Sequence, residues 1–406
     1  MTSTTTTSTT DPGLGMSARR GWLGVFSVAL GSFVLVLSEF LPIGLLPSIA
    51  SDLNVSIGTA GLMVVSTGLV GAIAAPVVTV ATSRLDRRTV LWTLSLLLVL
   101  ADVVGALAPT FWFLLIGRVL IGVAVGGFWS IGAGIAGRLV RPASVIRASS
   151  LITAGISLAT VVSLPLGSLV ASISTWRLAF VIGASLGAVA LVTQLILLPR
   201  IRSVERVTFR ALGSLLAVPR ARLGLIVTVF AFLAQFTAYT YVAPYLQQLA
   251  RVSPAVISLA LLLFGVAGIG GNFVAGVALS RSVTVTLTTM KLLLAVSVIL
   301  LPLLATSLPG VFVLLVVWGA VWGALPLGLQ TWMLASSPSG PDSSLALFVT
   351  TAQLALAGGS VLGGIAVNTL GIAFDFFLAG GVAALGAVVL LILGLRTRPV
   401  EAGATG

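Results

Sequence analysis

Three ionisable residues stand inside stretches that are otherwise apolar enough to lie in a membrane: Glu39 in SEFLPIGLLPSIASDL, Asp102 about seven residues before the turn at Pro109, and Arg118 in LLIGRVLIGVAVGGFWSIGAG, about nine residues after it. Burial disfavours the charged form of a carboxyl, which suits a group that exchanges a proton. A guanidinium at such depth costs roughly 2.5 to 3.5 kcal/mol on insertion scales, so it normally faces a protein interior or an aqueous cavity and has a partner. Pro42 and Pro47 follow Glu39, and their missing donors loosen the helix there. Glu39 reads as a proton-coupling or substrate residue, the alternative being a static partner of Arg118 or a polar group near the outer surface. Asp102 and Arg118 fall at similar depth if their helices are antiparallel neighbours, so a structural ion pair and a coupling role both fit. Arg118 is followed by Gly122, Gly126 and Gly127, a series that lets another helix backbone come close on one face. A charge beside a smooth packing face suggests a moving interface.

A second set of residues could bind a solute. Gln235 and Tyr239 are spaced i, i+4 and share a helix face, with Tyr241 just beyond. Together with Trp129, and with Gln330 and Trp332 from a later span, they make a candidate pocket of aromatic planes and amide hydrogen-bonding groups, suited to a nucleobase or another small planar polar molecule. An interfacial aromatic belt competes for Trp22, Trp92 and Trp332. Lys291 is expected to snorkel, and Asp52, Asp342 and Asp375 to be solvated in loops.

The elements that position these groups follow from composition. Of 406 residues, 58% are hydrophobic and 7% charged, which no soluble core accounts for and many membrane spans do. There are no cysteines and no histidines, so disulfides, thiolate metal sites and histidine-based catalysis are excluded and carboxylates remain as proton carriers. Twelve spans are predicted, near 22–50, 59–81, 89–108, 111–136, 147–171, 178–199, 223–248, 255–279, 284–306, 310–334, 344–367 and 371–395. With a cytoplasmic N-terminus, alternation puts 18 of the 21 Lys and Arg on the cytoplasmic side and only Arg177 and Arg251 on the other, with Arg118 inside the membrane. That asymmetry supports both count and orientation, and it explains the net charge of +12 without nucleic acid.

The predicted organisation is a disordered cytoplasmic tail (1–20), an N-terminal six-helix bundle (21–199), a cytoplasmic linker (200–222), a C-terminal six-helix bundle (223–396) and a short cytoplasmic tail (397–406). At a constant offset of 197 residues Pro47 matches Pro244, Gly68 and Gly71 match Gly265 and Gly268, Ser83-Arg84 matches Ser280-Arg281, Gly122 and Gly126 match Gly319 and Gly323, and Gly167 matches Gly364. Glu39, Asp102 and Arg118 fall opposite Phe236, Ile299 and Leu315, which places the ionisable machinery in the first half alone.

These residues resemble the major facilitator superfamily, and within it the twelve-helix drug:proton antiporter branch, over about residues 20 to 395. The loop TSRLDRRTVL is similar to the superfamily's cytoplasmic loop between its second and third helices, with Ser83 at a usually acidic position and Asp86 in place of a glycine. LLIGRVLIGVAVG resembles the fourth-helix motif, and SLPLGSL keeps Pro165 and Gly167 of the fifth-helix antiporter motif without the glycine before the proline. SEFLPIGLLPSIASDL, GGFW, WRLAF, QFTAYTY and WGAVWGALPLGLQTW look most like purine ribonucleoside efflux pumps of bacteria, with sugar-efflux and chloramphenicol-resistance members as close neighbours.

The resemblance implies an all-α membrane protein of two pseudo-symmetric six-helix bundles in a bacterial plasma membrane, both termini cytoplasmic. It would be a monomer that exports a small organic solute by alternating access in exchange for protons. It implies no enzymatic activity, no cofactor other than the proton gradient, no metal and no nucleic-acid partner. Proton coupling would fall to Glu39, Asp102 and Arg118, and the cytoplasmic gate to Arg84, Asp86, Arg87 and Arg88. A channel and a membrane-embedded enzyme are the rival readings; no nucleophile elbow or metal-ligand cluster is present in the sequence.

Overall fold

Among the described residues, twelve long apolar helices, each able to cross a bilayer, follow one another. They are α1 (Ala18–Asp52), α2 (Leu62–Ala81), α3 (Arg87–Ala106), α4 (Phe111–Gly132), α5 (Val145–Ile173), α6 (Trp176–Leu197), α7 (Pro219–Tyr239), α8 (Pro254–Arg281), α9 (Val283–Leu303), α10 (Leu308–Ala335), α11 (Pro341–Thr369) and α12 (Ile372–Gly394). The structure is a computed structural model and describes residues 18–132, 135–201, 213–336 and 341–394. The tails expected before residue 18 and after 394, most of the linker, and the side chain of Asp342 lie outside the described residues.

Local chemistry sets several helix ends. Asp86 caps α3 by accepting the Arg88 N–H at 2.9 Å, and Ser282 and Ser307 cap α9 and α10. The second and seventh spans are each interrupted. One turn, Ile57–Ala60, precedes α2, and Val242–Gln248 continues the line of α7 after a break at Thr240 and Tyr241. Pro244 has no N–H for the Thr240 carbonyl, which is a sufficient reason for that break.

Packing reproduces the internal repeat. In the first half α1 packs on α5 and α6, α2 on α4, and α3 on α4 and α6; in the second, α7 packs on α11 and α12, α8 on α10, and α9 on α10 and α12. The halves meet where α2 crosses α11 and α5 crosses α8, two contacts related by the same exchange. A side chain at Gly126 would strike the Gly71 carbonyl, and one at Gly323 the Gly268 carbonyl, so both members of each repeat-related pair require the missing Cβ. Each of the twelve helices also carries exposed large apolar residues, such as Ile73, Ile173 and Phe273, forming a sheath suited to lipid.

Candidate functional site

Arg118 begins about seven residues, or about 10 Å, into α4 and is only 2% exposed. Its three kinds of nitrogen donate to three backbone carbonyls: Nη1 to Ser38 at 3.1 Å, Nη2 to Glu39 at 3.0 Å and Nε to Met63 at 3.3 Å. The first of these is made possible by sequence. In a helix the Ser38 carbonyl would accept from the N–H four residues later, but that residue is Pro42, which has none. The guanidinium supplies the missing donor and ties α4 to α1 and α2 at once.

Asp102 on α3 is buried and accepts the Ser38 hydroxyl at 2.6 Å. A direct Arg118–Asp102 ion pair, one of the two sequence readings, is therefore not formed. The two charges are instead linked through the two ends of one serine, its hydroxyl and its carbonyl.

Glu39 is 5% exposed at the wall of a cavity of about 420 Å³ lying between the halves. Its Oε1 accepts from Gln353 Nε2 of α11 at 3.3 Å, a hydrogen bond from one half to the other. Trp129 lies beside the same carboxyl, and Oε2 has no hydrogen-bond partner within the protein. Phe40, Phe232, Phe236, Trp322 and Phe348 give the cavity aromatic walls, with Phe232 edge-on to both Trp322 and Phe348. The lining continues from Glu39 to Ala136, Ser149 and Leu345, at the end of the bundle where α1 begins, since Gly21 packs on Leu139 there. At the opposite end the halves are fastened, with the Gly58 N–H donating to Asn368 Oδ1 at 3.2 Å.

The predicted solute residues divide. Trp129 and Gln330 line the cavity, whereas Gln235, Tyr239 and Tyr241 do not. Gln235 accepts the Trp318 indole N–H at 2.7 Å, Tyr239 packs edge-on against Trp318 and Phe236, and the Tyr241 hydroxyl donates to the Ser360 carbonyl at 2.8 Å. Gln235 and Tyr239 do share a face, but that face turns into the second half toward α8 and α10; Phe232 and Phe236 of α7 take the cavity side. Trp332 is buried too, donating to the Arg220 carbonyl at 3.0 Å, and so belongs to no interfacial belt.

Three further expectations are corrected. Lys291 does not snorkel: it is buried between α9, α7 and α12, its Nζ donating to the Val227 carbonyl at 2.8 Å beside Gly386. Asp375 is no loop residue but lies buried in the first turn of α12, with neither carboxyl oxygen hydrogen-bonded within the protein. Asp52 is engaged as well as exposed, pairing with Arg177 at 2.8 Å and accepting the Trp176 indole N–H at 2.9 Å. Buried ionisable groups are thus present in both halves, and those of the second lie off the cavity.

The loop expected to act as a gate is fastened within the first half. Asp86 Oδ1 accepts the Arg88 and Ile201 N–H groups, both at 2.9 Å, and the Arg87 N–H donates to the Ile201 carbonyl. Arg87 Nη1 reaches Thr82, Arg88 lies over the Trp92 ring and bonds the Leu195 carbonyl, and Arg84 is exposed. Asp86 stands as a helix cap, a role that an Asp directly before a helix signals in sequence. Sequence reasoning passed over most of the cavity wall, Gln353, Asn272, Trp322 and the phenylalanines among it; polar Gln353 and Asn272 inside apolar spans were the available signal.

Comparison with known proteins places this architecture. The chain is 35% identical over 381 residues to the transcription regulatory protein OpdE of Pseudomonas aeruginosa, covering 93% of this chain and 94% of that one. It is 33% identical over 366 residues to the purine ribonucleoside efflux pump NepI of Escherichia coli K12, covering 89% and 91%. The solved structure of the human organic anion transporter MFSD10 (TETRAN) superposes with a TM-score of 0.67 at 18% identity, over 92% of this chain and all of that one, a likeness of fold. The family model of the Major Facilitator Superfamily matches residues 28–341. With that match and these relatives, this multi-pass chain belongs to the major facilitator superfamily of membrane transporters.

Proposed function

We propose that the chain exports a small planar organic solute, best represented by purine ribonucleosides, from the cytoplasm of a bacterial cell, and that protons entering through Glu39 drive it. The observation that carries this reading is the placement of one buried carboxyl, hydrogen-bonded across the halves, at the wall of an aromatic cavity that reaches one end of the bundle while the other end is fastened. Such an arrangement is what alternating access needs: a site between two rigid halves that can rock, and a titratable group that contacts both. The excess of Lys and Arg on the side where α1 begins supports a cytoplasmic opening. The name of the NepI relative supports the solute class, while the differently named OpdE relative spans the same region, so the names alone do not choose.

Purified protein in liposomes with an imposed pH gradient tests this. Saturable uphill movement of a nucleoside that stops when the gradient is collapsed supports the reading. Flux only down the nucleoside gradient would point to a channel, and chemical change of the nucleoside to an enzyme.

A further inference from the structure

Serine and threonine inside an apolar helix can donate to the carbonyl four residues back, as Thr67, Thr79, Thr160, Thr228 and Thr331 do here. Thr153 and Ser157 of α5 do not. They stand one turn apart on the cavity wall, and Asn272 of α8 lines it from the other half. Among the described residues these three side chains have no hydrogen-bond partner.

Glycine packing sets their depth. A side chain at Gly265 would strike the Val161 backbone, so α5 and α8 touch there. An odd and an even span run in opposite directions, so from that contact toward the open end α5 brings Ser157 and then Thr153, while α8 brings Asn272. At a rise of about 1.5 Å per residue they follow at about 6, 12 and 10 Å, which makes one polar belt shared by both halves. A different surface lies deeper. Gly323 rests on Gly268, which sets Trp322 about one turn deeper than Asn272, and Phe232 packs edge-on to Trp322 and Phe348. A side chain at Gly155 would meet the Ala29 carbonyl and one at Gly167 the Leu41 carbonyl, so Glu39 is level with Pro165, about 12 Å deeper than Ser157.

The geometry points to a sugar subsite: Thr153, Ser157 and Asn272 are specificity-determining residues that bind the hydroxyls of a ribosyl group, holding it toward the open end while the flat base enters the aromatic layer near Glu39. Hydroxyl and amide side chains both donate and accept, as sugar hydroxyls do. Glu39 is the one charged residue among the described lining, so nothing in this belt suits a phosphate, and the class is a nucleoside rather than a nucleotide. This rests on the export reading above and says how its site holds the solute.

Guanosine and 2′,3′-dideoxyguanosine are the discriminating probes, because they share the base and differ by two sugar hydroxyls. Binding to the purified full chain in nanodiscs is expected to favour guanosine by roughly tenfold or more, the size of two neutral hydrogen bonds. Combining Thr153→Val, Ser157→Ala and Asn272→Leu is expected to bring that preference to about unity by weakening guanosine, with dideoxyguanosine still bound as evidence of a folded cavity. Equal binding of the two by the unaltered protein, or tighter binding of dideoxyguanosine, overturns the inference without any variant having to fold. A preference that persists unchanged in the combined variant overturns the assignment of these residues. Binding of neither probe overturns the subsite together with the solute class. Because binding is read without flux, a guanosine preference without gradient-driven transport would count against the export reading alone, whereas proton-driven export of both probes with equal affinity would leave export standing and remove the subsite.

Discussion

Arg118→Leu is expected to destabilise the protein less than Arg118→Lys, although lysine keeps the charge. The guanidinium reaches three separate carbonyls on two helices through three different nitrogens. A lysine ammonium is one atom and cannot span them, so at least two of the three bonds are lost while a buried charge remains. At about 1.5 to 3 kcal/mol for each hydrogen bond to a charged group, that is about 3 to 6 kcal/mol. Leucine removes the charge together with its desolvation cost and leaves carbonyls behind. Of these the Met63 carbonyl retains the Thr67 hydroxyl at 3.0 Å, while the Ser38 carbonyl is left without its donor because residue 42 is proline. One orphaned carbonyl costs about 1 to 3 kcal/mol. The second half already carries leucine at the repeat-related position, Leu315, fully buried. Thermal unfolding in detergent, followed by size-exclusion of the unheated and heated protein, ranks the variants: wild type above Leu above Lys. If leucine proves the worse of the two, Arg118 acts chiefly as a counter-charge to Glu39 and Asp102 and the carbonyl account is wrong.

Three other expectations follow from the same contacts. Ser38→Ala should remove most of the energetic coupling between Arg118 and Asp102, so that a double-mutant cycle on their unfolding midpoints becomes additive within about 0.5 kcal/mol in that background; persisting coupling would mean they interact directly. Asp375→Asn should match or exceed the wild type in thermal stability, because the carboxyl it replaces is buried without a hydrogen-bonding partner, and a large loss of folded yield would reveal a partner in another conformation. Asp86→Ala removes the cap of α3 and the tether to Ile201, at a cost of about 1 to 2 kcal/mol, while nucleoside affinity in nanodiscs stays as in the wild type; weakened binding would connect this loop to the cavity.

Much of the fold was legible because a bilayer dictates the length of every apolar run, and because the positions where helix backbones touch admit only the smallest residues. Gly126 and Gly323 could be paired by arithmetic since each must rest on a carbonyl of the neighbouring helix. Glu39 and Arg118 were legible for a related reason, as charges in apolar spans. Which face of a helix turns inward was not. In lipid both the protein interior and the outer surface are apolar, so periodicity does not orient a helix, and the face of Gln235 and Tyr239 turned toward α10 while Phe232 and Phe236 took the cavity. Asp375 was misread because it lies at a helix end, where a loop usually reaches water, and Lys291, well inside α9, because a long side chain is able to snorkel. Only the packing of α7 and α12 over Lys291, and of Tyr241 near Asp375, shows them enclosed. The link between Pro42 and Arg118 also needed the structure, since a proline frees a carbonyl without saying which donor will claim it.

The central claim is that the Glu39 carboxyl exchanges a proton for the solute. Liposomes carrying Glu39→Gln test it most directly when two fluxes are compared at saturating guanosine: accumulation under an imposed pH gradient, and exchange of labelled for unlabelled guanosine with no gradient. The amide keeps the shape and a hydrogen-bonding oxygen but cannot carry a proton. The account predicts that exchange persists while gradient-driven accumulation is lost. Accumulation at the wild-type rate by Glu39→Gln would contradict it and move the coupling to another buried carboxyl.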